Sequence, residues 1–164
     1  YNGATGLKTG STGKALFCLS GTATKDDMDL VAVVMGAPSS AIRFQEVMQM
    51  LDYGFANFEV LDGDEAETVV GDVVVYKGSD ETVPLTVKEQ VSVVCPKGSG
   101  GELEKELIIY DSISAPFNQG EKAGEIVYTL NGEEVGRSDL VTAGNMERIG
   151  VTGMFARVIC KWFG

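Results

Sequence analysis

Apolar positions fall into three β-type runs at the start of the chain, separated by polar turns. Leu7–Ser11 reads as a short strand entering from a glycine-containing loop, and Lys14–Thr24 as the next, rich in β-branched and aromatic residues that suit a pleated surface. After the turn Lys25-Asp26-Asp27-Met28, Asp29–Met35 is apolar almost throughout, which predicts a strand covered on both faces. The three form an antiparallel meander. The pattern then changes period. Pro38-Ser39-Ser40 supplies a helix N-cap hydroxyl. Phe44, Val47, Met48, Leu51 and Phe55 recur at spacings of three and four, one apolar face, and Gly54 reads as the helix stop. Nothing in this segment seals the remaining apolar surface, so it reads as a piece of a larger α/β domain.

From Val60 to Asn145 the runs are short and punctuated by turns. Leu61–Glu67 reads as an acidic, flexible boundary. Strands follow at Thr68–Val75, Thr82–Val87, Glu89–Cys95, Leu103–Tyr110, Glu125–Leu130 and Glu133–Val141. Asn131-Gly132 is a strong two-residue hairpin signal. Many short strands of this kind predict a small β-sandwich. In the last segment, 146–164, Val151, Phe155, Val158, Ile159 and Trp162 line one helical face and Arg157 and Lys161 lie on another. That is a short basic amphipathic helix with Trp where interfacial anchors favour it. Docking on its own domain is the alternative.

Composition narrows the functional classes. The 164 residues are 44% hydrophobic and 23% charged, enough for a packed core in one or two domains. The net charge of -11 is concentrated in Val60–Asn145 and argues against nucleic acid as partner. After Asn145 the balance is basic, compatible with an anionic membrane surface. Cys18, Cys95 and Cys160 are an odd set without metal-type spacing and read as buried free thiols. With no histidine, His-based triads and His metal sites are excluded, and no cofactor is expected. No stretch is long enough to span a bilayer. No signal peptide is visible and the first residue is not Met, so the chain reads as a fragment whose targeting segment lay upstream.

The candidate chemistry centres on Lys8-Thr9-Gly10, preceded by Gly6-Leu7 and followed by Ser11-Thr12. On an edge strand these residues offer a cation, a hydroxyl and an unobstructed backbone to an extended peptide end. Two nearby patterns do not carry chemistry. Ser11-Thr12-Gly13-Lys14 matches Ser-x-x-Lys but runs through a strand with glycine inside. Read as a phosphate loop, the same stretch has Lys8 where a glycine is required and Ala15 where a hydroxyl is required. The acidic cluster Asp62–Glu67 lacks a calcium-loop pattern.

Lys8-Thr9-Gly10 with its flanks, the two apolar runs that follow, Arg43, Leu51-Asp52-Tyr53-Gly54-Phe55 and the closing Trp162-Phe163-Gly164 resemble the penicillin-binding D-alanyl-D-alanine carboxypeptidases. The match is to the low-molecular-weight serine peptidases with a β-rich second domain, and to the C-terminal part of their chain only. The resemblance implies an α+β fold in three parts. Residues 1–59 would be three antiparallel strands and a helix from a β-lactamase/transpeptidase-like domain. Residues 60–145 would be a β-sandwich, and residues 146–164 an amphipathic, membrane-associated helix.

It further implies removal of the terminal D-alanine from peptidoglycan stem peptides through an acyl-serine, in bacterial cell-wall metabolism outside the cytoplasm. β-Lactams would inhibit by acylating the same serine. Lys8 would strengthen the positive field, Ser11 would donate its backbone N–H to the oxyanion, and Thr9, Gly10 and Thr12 would line the substrate cleft. Arg43 would set the field for the substrate carboxylate; otherwise it is a surface arginine at a helix start, where the helix dipole disfavours it. The serine and its lysine base would lie upstream of Tyr1, leaving these residues inactive alone. A non-catalytic stalk or interaction module of a cell-wall protein is the second reading. A transpeptidase or β-lactamase relative is the third, though β-lactamases lack a second β domain.

Overall fold

The computed structural model describes residues 1–98, 103–150 and Gly153. The chain divides into two compact units, Tyr1–Leu61 with Val93–Gly101, and Asp62–Ser92 with Glu102–Gly164.

In the first unit β1 (Ala4–Thr12), β2 (Leu16–Lys25) and β3 (Met28–Ala37) form an antiparallel sheet in that order. Asp26 and Asp27 both take positive φ, 50° and 58°, and pair Lys25 with Met28 across a two-residue turn. Such turns match the twist of the strands they join, and Asp tolerates the left-handed region. Helix α1 (Ser40–Asn57) follows, and the Ser39 hydroxyl accepts from the Ile42 N–H at 3.2 Å as the expected N-cap. Leu19, Ala23, Ala32, Val47 and Leu51 form the buried core, with Leu30, Val34 and Phe55 packed against it.

Three expectations need correction here. β3 is covered on one face only: Ala32 is buried while Val31 and Val33 are 67% and 54% exposed. A continuous apolar run reports what a strand could bury, not what this chain supplies to cover it. The apolar face of α1 is also less completely covered than expected, because Phe44 and Met48 stay 37% and 39% exposed. Gly54 does not stop the helix, which runs on to Asn57. A side chain at 54 would collide with Leu30, so this glycine allows close helix–sheet packing, as Gly21 does opposite Val47.

β4 (Phe58–Asp62) and β7 (Ser92–Pro96) pair as a separate two-stranded sheet. The expected flexible boundary at Leu61–Glu67 therefore begins inside a strand. Lys97 anchors beside it, its N–H donating to Asn57 O and its ammonium to Phe55 O, both at 2.8 Å.

In the second unit β5 (Val69–Tyr76), β6 (Thr82–Val87), β8 (Glu104–Ile109), β9 (Ile113–Ser114), β10 (Lys122–Leu130) and β11 (Glu133–Thr142) form one six-stranded sheet. The order is β8-β10-β11-β6-β5-β9, antiparallel except for β5 with β9. All six strands of this all-β unit are thus hydrogen-bonded in one order around a single core. One run assigned to the expected sandwich, Glu89–Cys95, contributes its strand to the pair with β4 instead. Val73, Val83, Leu85, Ile126, Tyr128 and Leu140 build one core. Asn131 and Gly132, both at positive φ, close the β10–β11 hairpin as their residue types require.

Residues 146–150 are extended rather than helical, because Met146 bridges Phe117 and Arg148 bridges Gly78. Apart from Gly153, the rest of the expected amphipathic helix, and Cys160, lie outside the described residues. No helix among the described residues is long and apolar enough to cross a membrane.

Candidate functional site

β1 is an edge strand, bonded to β2 alone, and all nine of its residues are exposed. Register fixes which way its side chains face. Thr9 pairs with Leu19, a core residue under α1, so Thr9 lies on the helix side. Lys8 pairs with Ser20, which pairs with Val33, so Lys8 lies on the uncovered face. Gly10 pairs with Cys18, and nothing lies within 4 Å of where a Cβ at Gly10 would stand. Ser11 pairs with Phe17. The Thr12 hydroxyl accepts from the Ala15 N–H at 2.9 Å and shapes the turn into β2. Lys8 and the Thr9 hydroxyl have no hydrogen-bond or ionic partner among the described residues.

Arg43 comes from the first turn of α1 and reaches this edge. One guanidinium nitrogen donates to Gly10 O at 3.3 Å and to Cys18 O at 3.2 Å. The other donates to the Ser40 hydroxyl at 3.1 Å. The guanidinium carbon lies 5.5 Å from the Phe17 ring centre and 5.2 Å from that of Phe44, within cation–π range of both. Its Nε is buried without a partner among the described residues. A cation placed against the helix dipole is therefore held by three oxygen acceptors and two aromatic faces.

The structure thus joins Arg43 to Gly10 and sets Lys8, Thr9, Ser11 and Thr12 along the same exposed strand. Sequence reasoning missed Phe17, Ser40 and Phe44 as partners of Arg43. Ser40 and Phe44 stand beside Arg43 on α1, three residues before and one after it, whereas Phe17 meets it from β2 across the helix–sheet contact. Ser11 lies in β1 and Lys14 in the turn after it, so this Ser-x-x-Lys does not place its lysine one helical turn from its serine. Cys18, partly buried, donates its thiol to Ala15 O at 3.4 Å, and Cys95 is buried. Among the described residues no group of three or more His, Cys, Asp or Glu is arranged to hold a metal ion.

The second unit carries several ion pairs. Lys105 donates to both Asp64 oxygens, at 2.8 and 3.0 Å, and the Tyr128 hydroxyl donates to the same carboxylate at 3.1 Å. The lysine hydrogen bond holds Asp64 below the ordinary carboxylate range, against the opposing effect of burial. Burial pushes the Tyr128 phenol up. Lys122 bridges Asp139 at 2.6 Å and Glu125 at 2.7 Å, which raises the ammonium pKa and lowers both carboxylates.

Comparison with known proteins places this chain in the class of penicillin-binding proteins. The family model described as D-alanyl-D-alanine carboxypeptidase matches residues 1–39. That described as Penicillin-binding protein 5, C-terminal domain, matches residues 58–148. The chain belongs to the penicillin-binding D-alanyl-D-alanine carboxypeptidase family. It is 33% identical to the D-alanyl-D-alanine carboxypeptidase DacF of Bacillus subtilis, over 99% of this chain and 42% of that protein. It is 32% identical to the D-alanyl-D-alanine carboxypeptidase DacC of Escherichia coli, over 97% of this chain and 41% of that one. Penicillin-binding protein 5 of Haemophilus influenzae superposes with a TM-score of 0.71 at 31% identity, over 86% of this chain and 42% of its own. The chain spans about two fifths of the length of the curated relatives it matches.

Proposed function

We propose that these residues are the later part of a bacterial serine-type D-Ala-D-Ala carboxypeptidase acting on peptidoglycan stem peptides outside the cytoplasm. Residues 1–59 belong to its peptidase domain and residues 60–145 to its β-rich second domain. The observation that carries this reading is the open edge of β1, with Arg43 bonded to Gly10. An extended D-Ala-D-Ala end adds to that edge by main-chain hydrogen bonds, as peptides add to exposed strands. The Thr9 hydroxyl and the Arg43 guanidinium meet the terminal carboxylate. Lys8, on the uncovered face, puts positive charge where the oxyanion develops, and the Ser11 N–H is one of its donors. Gly10 leaves the edge unobstructed, and Thr12 borders the cleft.

A serine nucleophile needs an adjacent base. In this reading a Ser-x-x-Lys outside the 164 residues supplies both and covers the face of Val31 and Val33. The serine attacks the penultimate D-alanine carbonyl, the terminal D-alanine leaves, and water releases the acyl group. β-Lactams acylate the same serine. The basic and apolar sequence of residues 151–164, carrying Arg157, Lys161 and Trp162, is the part proposed to meet a membrane surface. Labelled penicillin tests the division of labour. The longer protein acquires a covalent adduct, whereas the 164-residue chain alone does not. A stable adduct on the chain alone would overturn it.

A further inference from the structure

Within the second unit, a cleft of about 590 Å³ lies between the β8–β9 connection and the loop entering β10. Tyr110, Ile113, Pro116 and Phe117 supply the apolar part of its lining. Ser114, Asn118, Gln119 and Glu121 give it a polar rim. The loop is irregular yet fixed. Phe117 and Met146 exchange backbone hydrogen bonds at 3.1 and 2.9 Å. The Gln119 N–H donates to Asn145 Oδ1 at 2.7 Å. The Gly120 N–H donates to Thr142 O, and the Thr142 N–H to Glu121 O, both at 2.9 Å. The fully buried Thr142 hydroxyl accepts from the Glu121 N–H at 3.1 Å and donates to Asn118 O at 3.2 Å.

This bonding consumes backbone groups and leaves the side chains free. Asn118, Gln119, Glu121, Ser114 and the Tyr110 hydroxyl have no side-chain partner among the described residues. By contrast, Glu125 and Asp139, which flank Lys122, are both engaged by it. The loop therefore presents two amides and a carboxylate from a fixed backbone beside a half-exposed tyrosine. The backbone of the loop needs little ordering on binding.

We propose that this cleft binds an uncharged oligosaccharide. A pyranose has an apolar C–H face that suits Tyr110, Pro116 and Phe117. Its hydroxyl edge suits Asn and Gln side chains that both donate and accept, and a carboxylate that accepts. Anions are disfavoured, because Lys122, the one cation lining the cleft, is already paired with Glu125 and Asp139 and the chain carries a net charge of -11. An apolar ligand would strand the unpaired rim groups, at a desolvation cost. The proposal goes beyond the peptidase reading and needs neither a nucleophile nor the β1 edge.

The test is an NMR titration of the 164-residue chain with N-acetylglucosamine tetramer, cellotetraose and tetralysine. Expected are shift changes confined to residues 110–122 with one or both saccharides, saturating below ~10 mM. Tyr110→Ala and Asn118→Ala should each weaken binding about tenfold, with far-UV circular dichroism unchanged. Lys8→Ala should leave it unaffected, which keeps the result independent of the peptidase reading. Absence of saccharide shifts at these residues, shifts that persist in both variants, or occupation by tetralysine alone would overturn the proposal.

Discussion

At the level of single residues, Arg43 joins the two halves of the candidate site. Its guanidinium has a fixed position because Ser40, Gly10 and Cys18 accept its protons while Phe17 and Phe44 flank it. Replacing Phe17 with Leu keeps apolar volume but removes a cation–π partner worth ~0.5–2 kcal/mol. In the longer protein we expect Phe17→Leu to raise KM for a D-Ala-D-Ala peptide severalfold with little change in kcat, since the carboxylate subsite loosens while the reacting serine is untouched. Phe17→Tyr should restore KM. Equal loss in kcat for both substitutions would show that Phe17 acts through the fold instead.

At the level of elements, the helix N-cap, both two-residue hairpins and most strands were legible because each is encoded locally, by Ser39, by Asp26-Asp27 and by Asn131-Gly132. What misled was anything decided by a distant partner. Gly54 looks like a stop by residue type, yet Leu30 across the interface sets its role. Gly54→Leu should therefore destabilise the first unit by roughly 1–3 kcal/mol through overpacking, measured as a lower urea midpoint. A neutral or stabilising result would mean that α1 can draw back from the sheet without cost. Likewise β7 leaves its sequence neighbours to pair with β4, and an apolar run such as β3 cannot announce that one of its faces has no cover in this chain. The candidate site was legible as a motif, Lys8-Thr9-Gly10 with Arg43. The Phe17 side of the aromatic clamp on Arg43 was not, because it depends on how α1 packs on β2.

Across the whole molecule, acid sensitivity should come from the second unit. Asp64, Glu125 and Asp139 all titrate below their ordinary range because lysines bond to them. The native state therefore binds fewer protons than the unfolded chain as these groups titrate. Their stabilisation is present above the unfolded carboxylate pKa, ~4, and is lost as pH falls through the lower native values. Urea midpoints recorded between pH 6 and pH 2 should fall, and Asp64→Asn should flatten part of that slope. An unchanged slope in Asp64→Asn would show that the Lys105 pair contributes nothing to folding.

The account turns on whether the exposed edge of β1 receives the reacting peptide. The direct measurement is the second-order rate of acylation by labelled penicillin in the longer protein, compared among wild type, Lys8→Ala, Thr9→Val and the remote control Lys105→Ala. Loss of a preorganised charge or donor at the reacting centre costs on the order of a hundredfold, so Lys8→Ala and Thr9→Val should both slow acylation by about that factor while Lys105→Ala stays at the wild-type rate. Wild-type rates in Lys8→Ala and Thr9→Val, with the fold intact, would contradict it.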